Sequence, residues 1–459
     1  MSSAVSLPIR LENLLGSDRV CSSETGLQEF AIAGRAPMAV LKPPSAEVVA
    51  EIVSFAVAEN LAVVACGSRS KLELGMPPRR YDLALDMIDL RQIAHYDSGD
   101  LTVSVDAGLP LQKLAEVLGA KNQFLPLAVP FFETSSIGGA VASGIDSVLR
   151  QQYGTARDFL IGAEFVDGTG KKCKSGGRVV KNVTGYDLHK LLIGSLGTLG
   201  VITRLNFRTF PLPELRGVHL STFATLETSL DFHSALLKSG LPFSNLELFD
   251  AEFSALLADW QNKTGGAPES LSAGGWQVLA CFEGSTTVIK RIRRELLEHS
   301  ERMQAVHNEQ IDARSAQPLE ASFREAFDWL RRAAPTVALL RIVLPRIKSG
   351  DVTELLNGSQ PSLLRSAFAL RACGVAYLAL LADTEDAPAS AALEREVNRI
   401  FSRVEEKKGS VTLLHAPPVI RERVCAWGAM RADSRMMQRV KQAFDPQNIF
   451  APGRFVGGI

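Results

Sequence analysis

Cysteine is sparse in this chain, and charge of one sign is not in excess. The six cysteines are scattered without a C-x-x-C pair, so we predict reduced thiols and neither a disulfide framework nor an iron–sulfur cluster. The 50 Lys and Arg residues balance 50 Asp and Glu residues, so no overall field favours nucleic acid or an anionic membrane. Apolar runs are too short for a membrane span, and the first thirty residues lack the pattern of a secretory signal. We therefore expect a cytoplasmic protein with no membrane span and no nucleic-acid partner.

Histidine is also scarce and dispersed. No two of the seven histidines are closer than eight residues, so we predict no local metal site. The glycines at 194, 197 and 200 have the wrong spacing for a Rossmann fingerprint, and residues 168–172 do not form a P-loop. No G-x-S-x-G nucleophile elbow is present.

The length and the apolar patterning indicate a two-domain protein of the α+β class. A chain of 459 residues exceeds the usual size of one domain. Short apolar runs at 39–41, 61–65, 83–85 and 101–105 predict strands, and helical spacing follows Ser45 and Gly108. Asp167-Gly168 suits the tight turn of a hairpin over 159–174, and we predict a helix over 188–193 and a last helix over 438–444. We divide the chain into a lead-in (1–35), a first domain of two subdomains (36–214), a cap domain (215–440) and a returning tail (441–459).

Two glycine- and hydroxyl-rich turns are the most informative features. Gly67-Ser68-Arg69-Ser70-Lys71 follows a predicted strand, and Thr134-Ser135-Ser136-Ile137-Gly138-Gly139 follows about sixty residues later. Such turns let main-chain N–H groups approach an anion closely, and Lys71 or Arg69 could neutralise a phosphate. Taken singly, the first turn is equally compatible with a surface turn, and the second with an ordinary helix start.

The order of these turns and of three later motifs resembles the vanillyl-alcohol-oxidase (PCMH-type) family of FAD-binding proteins. The later motifs are KNVTGYDL (181–188), GTLGVIT (197–203) and FDPQNIFAPGRF (444–455). The resemblance implies a PCMH-type FAD-binding domain beneath a cap that covers the reactive face of the flavin. It places cofactor contacts at Gly67, Ser68, Arg69, Ser70, Lys71, Thr134, Ser135, Ser136, Ile137, Gly138, Gly139, Ser143, Gly144, Tyr153, Gly154, Arg157, Asp158, Lys181, Asn182, Gly185, Tyr186, Gly200, Val201, Ile202 and Arg454.

Some of these assignments have an alternative, and the pattern departs from the family at two points. Arg157 and Asp158 are also compatible with a structural ion pair, and Arg454 with closure of the domain interface. Arg204 stands where many relatives have Glu. No histidine occupies 67–75, where relatives with a histidyl–flavin bond have one, so the resemblance implies non-covalent FAD.

More narrowly, GSRSK, RVVKNVTGYDL, ALLRIVLP (338–345) and the final motif resemble the glycolate oxidase FAD-binding subunits. That resemblance implies oxidation of a small 2-hydroxy acid, glycolate or D-lactate. It also implies a second flavin subunit and an iron–sulfur subunit as partners, which could hold the chain at the inner membrane. The metal-binding H-x-G-D-G-N-x-H segment of many relatives is missing.

Two residues of the cap are candidates for catalysis. A 2-hydroxy acid needs a cation for its carboxylate and a base for its hydroxyl proton. Arg341, within an apolar run, is the candidate anchor, although a strand arginine often faces solvent or pairs with an acid. His415, before Pro417-Pro418, is the candidate base, although a structural histidine is the simpler interpretation.

Three functions remain open from the sequence. The chain could oxidise a 2-hydroxy acid itself, or it could bind FAD only as an electron-transfer or assembly subunit. A stand-alone alcohol or sugar oxidase is a third hypothesis, disfavoured by the missing histidyl attachment point.

Overall fold

The computed structural model describes residues 6–178, 185–264, 271, 274–311, 313–358, 362–430 and 433–459. The N-terminal part, residues 6–214, contains eleven strands in the described chain. They are β1 (Val20–Cys21), β2 (Ala39–Leu41), β3 (Val63–Cys66), β4 (Leu83–Asp86), β5 (Ile93–Asp97), β6 (Thr102–Asp106), β7 (Gln123–Phe124), β8 (Leu160–Val166), β9 (Lys172–Gly176), β10 (Val201–Arg208) and β11 (Phe210–Pro211). Its helices are α1 (Leu7–Leu15), α2 (Glu24–Gln28), α3 (Ala46–Ala58), α4 (Leu111–Gly119), α5 (Ile137–Ser143), α6 (Arg150–Tyr153) and α7 (Ala156–Phe159).

Two principal sheets build this part. The first has the order β1-β2-β4-β3, with β4 parallel to both β2 and β3. The second is antiparallel with the order β5-β6-β10-β8-β9, and β7 pairs with β11 beside it. Helix α3 begins where the Ser45 hydroxyl accepts a hydrogen bond from the Val48 N–H, and its apolar face packs on the first sheet. The predicted strands and the hairpin are present: β2 has the predicted bounds, and the other boundaries are shifted by no more than two residues.

The cap is built on an eight-stranded antiparallel sheet. Its strands are β12 (Leu215–Phe223), β13 (Phe243–Phe249), β14 (Trp276–Gly284), β15 (His307–Ile311), β16 (Thr336–Val343), β17 (Arg365–Arg371), β18 (Val375–Ala382) and β19 (Ser410–His415), in the order β15-β12-β14-β13-β17-β18-β16-β19. Its helices are α8 (Leu226–Lys238), α9 (Ala251–Thr264), α10 (Thr286–Arg302), α11 (Ala313–Arg324), α12 (Ala326–Leu330), α13 (Ser349–Leu356), α14 (Ala387–Glu406) and α15 (Pro418–Arg423).

The two faces of the cap sheet have different neighbours. One face packs against α8, α10, α13 and α14 in a continuous apolar core. The other face carries a second core that includes α9, α11 and α12 and reaches Leu74, Val148 and Phe131 of the N-terminal part. Polar residues on this second face therefore meet the N-terminal part beneath the cap.

The end of the chain returns to the N-terminal part. Helix α16 (Ser434–Phe444) precedes a segment whose Phe450 forms a parallel bridge with Val63 of β3. The predicted last helix was too short by four residues, since α16 begins at Ser434 and not at Gln438. Helix α16 also buries the ammonium of Lys441. That ammonium donates to the Thr198 and Phe450 carbonyls at 2.8 and 2.9 Å. The predicted helix over 188–193 is a 3₁₀ turn, Leu188–Leu191.

Candidate functional site

A cavity opens between the two sheets of the N-terminal part, and we call it the N-terminal cavity. It encloses about 770 Å³ of space, including its open mouth. Its wall is made by the end of β3 and the following loop, the first turns of α5, the start of β10 and Arg454. The predicted cofactor residues that line it are Gly67, Ser68, Arg69, Ser70, Lys71, Ser136, Gly138, Gly139, Ser143, Gly200, Ile202 and Arg454.

The loop after β3 brings main chain to the cavity. Arg69 has a φ of 64°, in the left-handed region, and such turns aim successive N–H groups to one side. Its guanidinium points elsewhere: it lies over the Phe30 ring at 4.4 Å and contacts Glu29 at 3.2 Å. Arg69 therefore shapes the loop, while its charge is matched by protein carboxylates.

Lys71 is the cation of this loop that faces the cavity. Its Nζ donates to the hydroxyls of Ser70 and Ser135 and lies 5.4 Å from the centre of the Phe131 ring. Within the described chain no carboxylate lies within 4.0 Å of it. Burial lowers the pKa of Lys71 to about 7.

The second predicted turn approaches the same cavity from the opposite side. The Ser136 hydroxyl accepts a hydrogen bond from the Gly139 N–H at 3.2 Å and so caps α5. A Cβ at Gly138 would lie 2.7 Å from the Ala107 Cβ, and one at Gly67 would overlap the Ser136 side chain. Glycine at these positions therefore lets two main-chain segments close on a ligand.

Arg454 supplies a buried cation with free donors. Its Nη2 donates to the carbonyls of Leu72 and Leu74, at 2.6 Å each. Its Nε and Nη1 are buried without a hydrogen-bond partner among the described residues. Burial, with the neighbouring charge of Arg421, lowers the pKa of Arg454 to about 10. Two buried unpaired donors in a glycine-lined cavity fit an anionic cofactor such as a dinucleotide.

Some of the predicted cofactor residues lie outside the cavity lining. Ile137 of α5 and Val201 of β10 are buried behind the cavity wall. Val201 faces away from the cavity because alternate residues of a strand face opposite sides. The Tyr153 hydroxyl donates to Glu283 at 2.5 Å, and Asp158 accepts from the Thr155 N–H at 2.7 Å as a helix cap instead of pairing with Arg157. The others outside the lining are Thr134, Ser135, Gly144, Gly154, Arg157, Gly185 and Tyr186, while Lys181 and Asn182 lie outside the described residues. Arg204, the departure from the family pattern, makes two hydrogen bonds to Asp106, of 3.0 and 2.9 Å.

Arg341 meets an acid of the N-terminal part beneath the cap. Its Nε and Nη2 both lie 2.6 Å from Asp146 Oδ2, and Arg150 contacts the other oxygen of that carboxylate. Burial acts to raise the pKa of Asp146, but the charges of Arg341, Arg150 and Arg371 lower it. Asp146 and Tyr377 in turn raise the pKa of Arg341 against the effect of burial. Arg341 is therefore paired with a carboxylate of the protein, which is the alternative to substrate binding that the sequence left open.

Arg371 lies two strands away on the same face of the cap sheet. Its Nε donates to Glu247 at 2.8 Å, and its Nη1 lies 3.2 Å from the Asp146 carbonyl. The guanidinium also lies over the Tyr377 ring at 4.7 Å. Sequence reasoning missed Asp146, Glu247 and Arg371. Asp146 meets Arg371 across the interface, and Glu247 is the neighbour of Arg371 on the adjacent strand β13, and nothing local in the sequence marks either contact.

His415 is held by a carboxylate from the loop beside the N-terminal cavity. Its Nδ1 lies 3.0 Å from Glu73 Oε2, and this contact is the largest cause of the lowered pKa of Glu73. Arg421 of the cap donates to the main-chain carbonyls of Glu73 and Gly75. A carboxylate on Nδ1 leaves Nε2 as the proton acceptor of a neutral histidine.

A second missed contact ties α11 and α12 to the N-terminal part. The Glu325 carboxylate accepts from the main-chain N–H groups of Phe131 and Phe132, at 2.5 and 3.2 Å. Phe131 has a φ of 60°, which is unusual for a bulky residue. Its ring lies between the charges of Lys71 and Arg331. The paired aromatics before the hydroxyl-rich turn were the one sequence signal for this contact.

The described residues hold no group of three or more His, Cys, Asp or Glu arranged for a metal ion. Among the described helices, none is both long and apolar enough to cross a bilayer.

The fold and the N-terminal cavity define a class, the FAD-binding oxidoreductases with a cap over the cofactor. Residues 37–176 match the family model "FAD binding domain", and residues 212–455 match "FAD linked oxidases, C-terminal domain". The second match spans more than half of the chain, and the chain belongs to the FAD-linked oxidases. It is a flavoprotein whose cofactor is FAD.

Named relatives and one solved structure agree with this family. Glycolate oxidase subunit GlcD of Bacillus subtilis (strain 168) is 24% identical over 428 residues, which cover 91% of this chain and 88% of that protein. Glycolate oxidase subunit GlcE of Escherichia coli (strain K12) is 33% identical over 233 residues, 50% of this chain and 65% of that protein. The structure of p-cresol methylhydroxylase with substrate bound superposes with a TM-score of 0.77 at 16% identity, over 98% of this chain and 97% of the other, and so shows the PCMH-type fold.

Proposed function

We propose that this chain oxidises a small 2-hydroxy acid, such as glycolate or D-lactate, and passes the electrons to a partner subunit. One observation carries the proposal: cap residues with the chemistry for such an acid meet the N-terminal part beside the FAD cavity. Arg341 and Arg371 offer guanidiniums, and His415 offers a base oriented by Glu73. The similarity to glycolate oxidase subunits supports the choice of substrate class.

The residues around the cofactor would hold it by its anionic portion. The loop 67–71, the first turn of α5 and the free donors of Arg454 bind the phosphates, and Lys71 adds a positive charge. FAD supplies an acceptor for two electrons and a hydride. The loop contains no histidine, so we propose that FAD is bound non-covalently.

The cap residues would orient the substrate and take its proton. The substrate carboxylate competes with Asp146 for the guanidinium of Arg341, and such fork-shaped pairing fixes its orientation. His415 Nε2 accepts the hydroxyl proton while Glu73 holds the ring through Nδ1.

A specific observation supports the second hypothesis, an FAD-binding electron-transfer or assembly subunit. The Nε and Nη2 atoms of Arg341 both contact the Asp146 carboxylate, which neutralises the charge of the predicted anchor. In that case a second flavin subunit would do the oxidation, with an iron–sulfur subunit to take the electrons. A cytoplasmic location, at the inner membrane through such partners, stays a prediction.

Steady-state assays of the purified FAD-loaded chain distinguish the two functions. Saturable oxidation of glycolate or D-lactate with an artificial electron acceptor is expected from a competent chain. Activity that appears only when partner subunits are added would contradict an independent oxidase. The variant Arg341→Lys should raise KM more than it lowers kcat if Arg341 binds the substrate carboxylate. Acid precipitation should release FAD into the supernatant if FAD is bound non-covalently.

A further inference from the structure

Three arginines lie together at the surface where the returning tail meets the N-terminal part, and we call Arg35, Arg79 and Arg80 the arginine patch. Arg35 Nη1 donates to the main-chain carbonyls of Pro78 and Arg79, at 2.6 and 2.7 Å. Arg79 lies against the tail, where a Cβ at Gly453 would be 2.6 Å from the Arg79 Cγ. Arg35 and Arg79 are exposed and Arg80 is half-buried, so a partner can reach the patch.

The charges of the arginine patch form no ion pair within the described chain. Arg80 donates to the main-chain carbonyls of Asn60 and Asn448, at 3.1 and 3.3 Å. The acid nearest to Arg80 in the sequence, Asp82, accepts from the Ala62 N–H at 2.6 Å instead. Carbonyl oxygens thus hold guanidiniums of the patch in place without neutralising them. Since charges of both signs are equal in the whole chain, this excess of positive charge belongs to one surface.

An exposed apolar side chain borders the arginine patch along the tail. Met430 is 61% exposed, and its sulfur would be 3.4 Å from a Cβ at Gly457. The guanidinium of Arg79 lies against the next residue, Gly458. Arginine and methionine are both enriched in surfaces that bind other proteins. The composition of this surface therefore favours a protein partner.

The tail connects this surface to the N-terminal cavity. Trp427 packs on Phe455 with ring centres 5.4 Å apart, and its Nε1 donates to the Arg454 carbonyl at 3.2 Å. The side chain of Arg454 lines the N-terminal cavity. The tail is therefore a wall that the cofactor cavity shares with the surface around the arginine patch.

We infer that the arginine patch and Met430 bind an electron-accepting protein with an acidic surface, so that electrons leave FAD across the tail. Guanidiniums held by carbonyls suit the forked pairing with carboxylates of a protein. The inference rests on the proposed function, in which a 2-hydroxy acid reduces FAD. Two molecules of a one-electron acceptor then take one electron each from the reduced cofactor FADH⁻, which restores FAD and releases one proton to the solvent.

Two probe proteins with the same haem and opposite charge test this inference. Cytochrome c is basic, and succinylated cytochrome c carries carboxylates in place of its lysine ammonium groups. Light with EDTA reduces the FAD of the purified protein under anaerobic conditions, so no substrate is needed. The second-order rate constant for succinylated cytochrome c should fall at least about tenfold between about 0.01 M and 1 M salt, as screening shortens from ~30 to ~3 Å. For cytochrome c itself, the rate constant should not fall.

A double variant locates the surface. Arg35→Gln with Arg79→Gln removes two charges and should lower the low-salt rate constant for succinylated cytochrome c at least about fivefold. Arg291→Gln with Arg294→Gln is the control, because it removes the same charge from the exposed face of α10 on the cap. It should stay within about twofold of the parent. FAD content and the thermal midpoint report whether each variant is folded.

A binding measurement gives a readout that needs no electron transfer. Calorimetric titration of the FAD-free chain with succinylated cytochrome c at low salt should show at least about fivefold weaker binding in the patch variant than in the control. Equal rate constants and equal affinities in the two variants would overturn the inference. Sedimentation of the parent, but not of the patch variant, with phosphatidylglycerol vesicles would assign the patch to a membrane and would also overturn it.

The failure of the inference and that of the proposed function are distinguishable. If the patch variant slows the probe while neither glycolate nor D-lactate reduces the flavin, the proposed function fails and the arginine patch stands. If one of these acids reduces the flavin while the patch variant transfers electrons like the parent, the proposed function stands and the inference fails.

Discussion

Replacing Arg454 with methionine tests whether the N-terminal cavity is built around an anion. The guanidinium is buried, two of its nitrogens have no hydrogen-bond partner among the described residues, and only Nη2 donates, to Leu72 and Leu74. A cation in this state costs stability in the absence of a ligand. An arginine at this position is explained if the ligand supplies hydrogen-bond acceptors for Nε and Nη1 of Arg454.

The structure gives the expected magnitudes. The lowering of the Arg454 pKa from 12.5 to about 10 corresponds to a burial cost on the order of 3 kcal/mol. The two hydrogen bonds that Arg454→Met removes are worth roughly 1.5–3 kcal/mol each and offset this cost. We therefore expect the unfolding free energy of the FAD-free protein to decrease by no more than about 3 kcal/mol. The loss of one charge-assisted hydrogen bond to FAD should raise its dissociation constant about 10- to 100-fold.

The assay is urea unfolding of the FAD-free protein together with titration by FAD. Arg421→Met is the matched control: Arg421 is also buried and donates to main-chain carbonyls of the same loop, but it does not line the cavity. It should lower stability and leave FAD affinity within about threefold of the parent. If Arg454→Met instead costs more than about 3 kcal/mol and leaves FAD affinity unchanged, Arg454 is a structural residue and the reasoning is refuted.

Three further predictions follow from buried charges. Burial lowers the pKa of Lys71 to about 7, and a bound anion beside the ammonium must raise that pKa. FAD affinity should therefore be full below pH 7 and fall by up to about tenfold per pH unit above it. The variant Lys71→Gln should bind FAD more weakly and without this pH dependence, and a parental slope in that variant would contradict the assignment. Burial also lowers the pKa values of His219 and His233 to about 4, below the unfolded value of about 6.5. The unfolded chain then binds more protons in this window, so the unfolding free energy should decrease as pH falls from about 6.5 to 4, and His233→Gln should remove roughly 3 kcal/mol of that decrease in urea titrations. Asp146→Asn should lower stability by about 3–5 kcal/mol, since it leaves Arg341 beneath the cap without its acid; a double-mutant cycle with Arg341→Met should recover part of this loss, and simple additivity would argue against the pair.

Local features of the chain were predictable because they depend on near neighbours. Ser45 caps α3, and the alternating apolar runs became strands. The turns at 67–71 and 136–139 have glycine where main chain must approach closely. That the two turns face one cavity came from the resemblance to a family, not from spacing.

The partners of the candidate catalytic residues were not predictable. Asp146 and Arg341 are 195 residues apart, and Glu73 and His415 are 342 apart. Which acid meets which base across the cap interface depends on how the two parts dock. The conformation of Arg69 was equally hidden, since an arginine in a glycine–serine turn suggests a phosphate ligand rather than a left-handed residue held by Glu29.

The most direct test of the proposed function is the anaerobic absorption spectrum of the FAD-loaded chain alone, before and after addition of glycolate or D-lactate. We predict that the flavin band at ~450 nm disappears with one of these substrates, because the proposed carboxylate anchor, the proposed base and the cofactor site belong to one chain. A band that persists with both acids, yet disappears with dithionite, would contradict an independent 2-hydroxy-acid oxidase and favour the electron-transfer subunit.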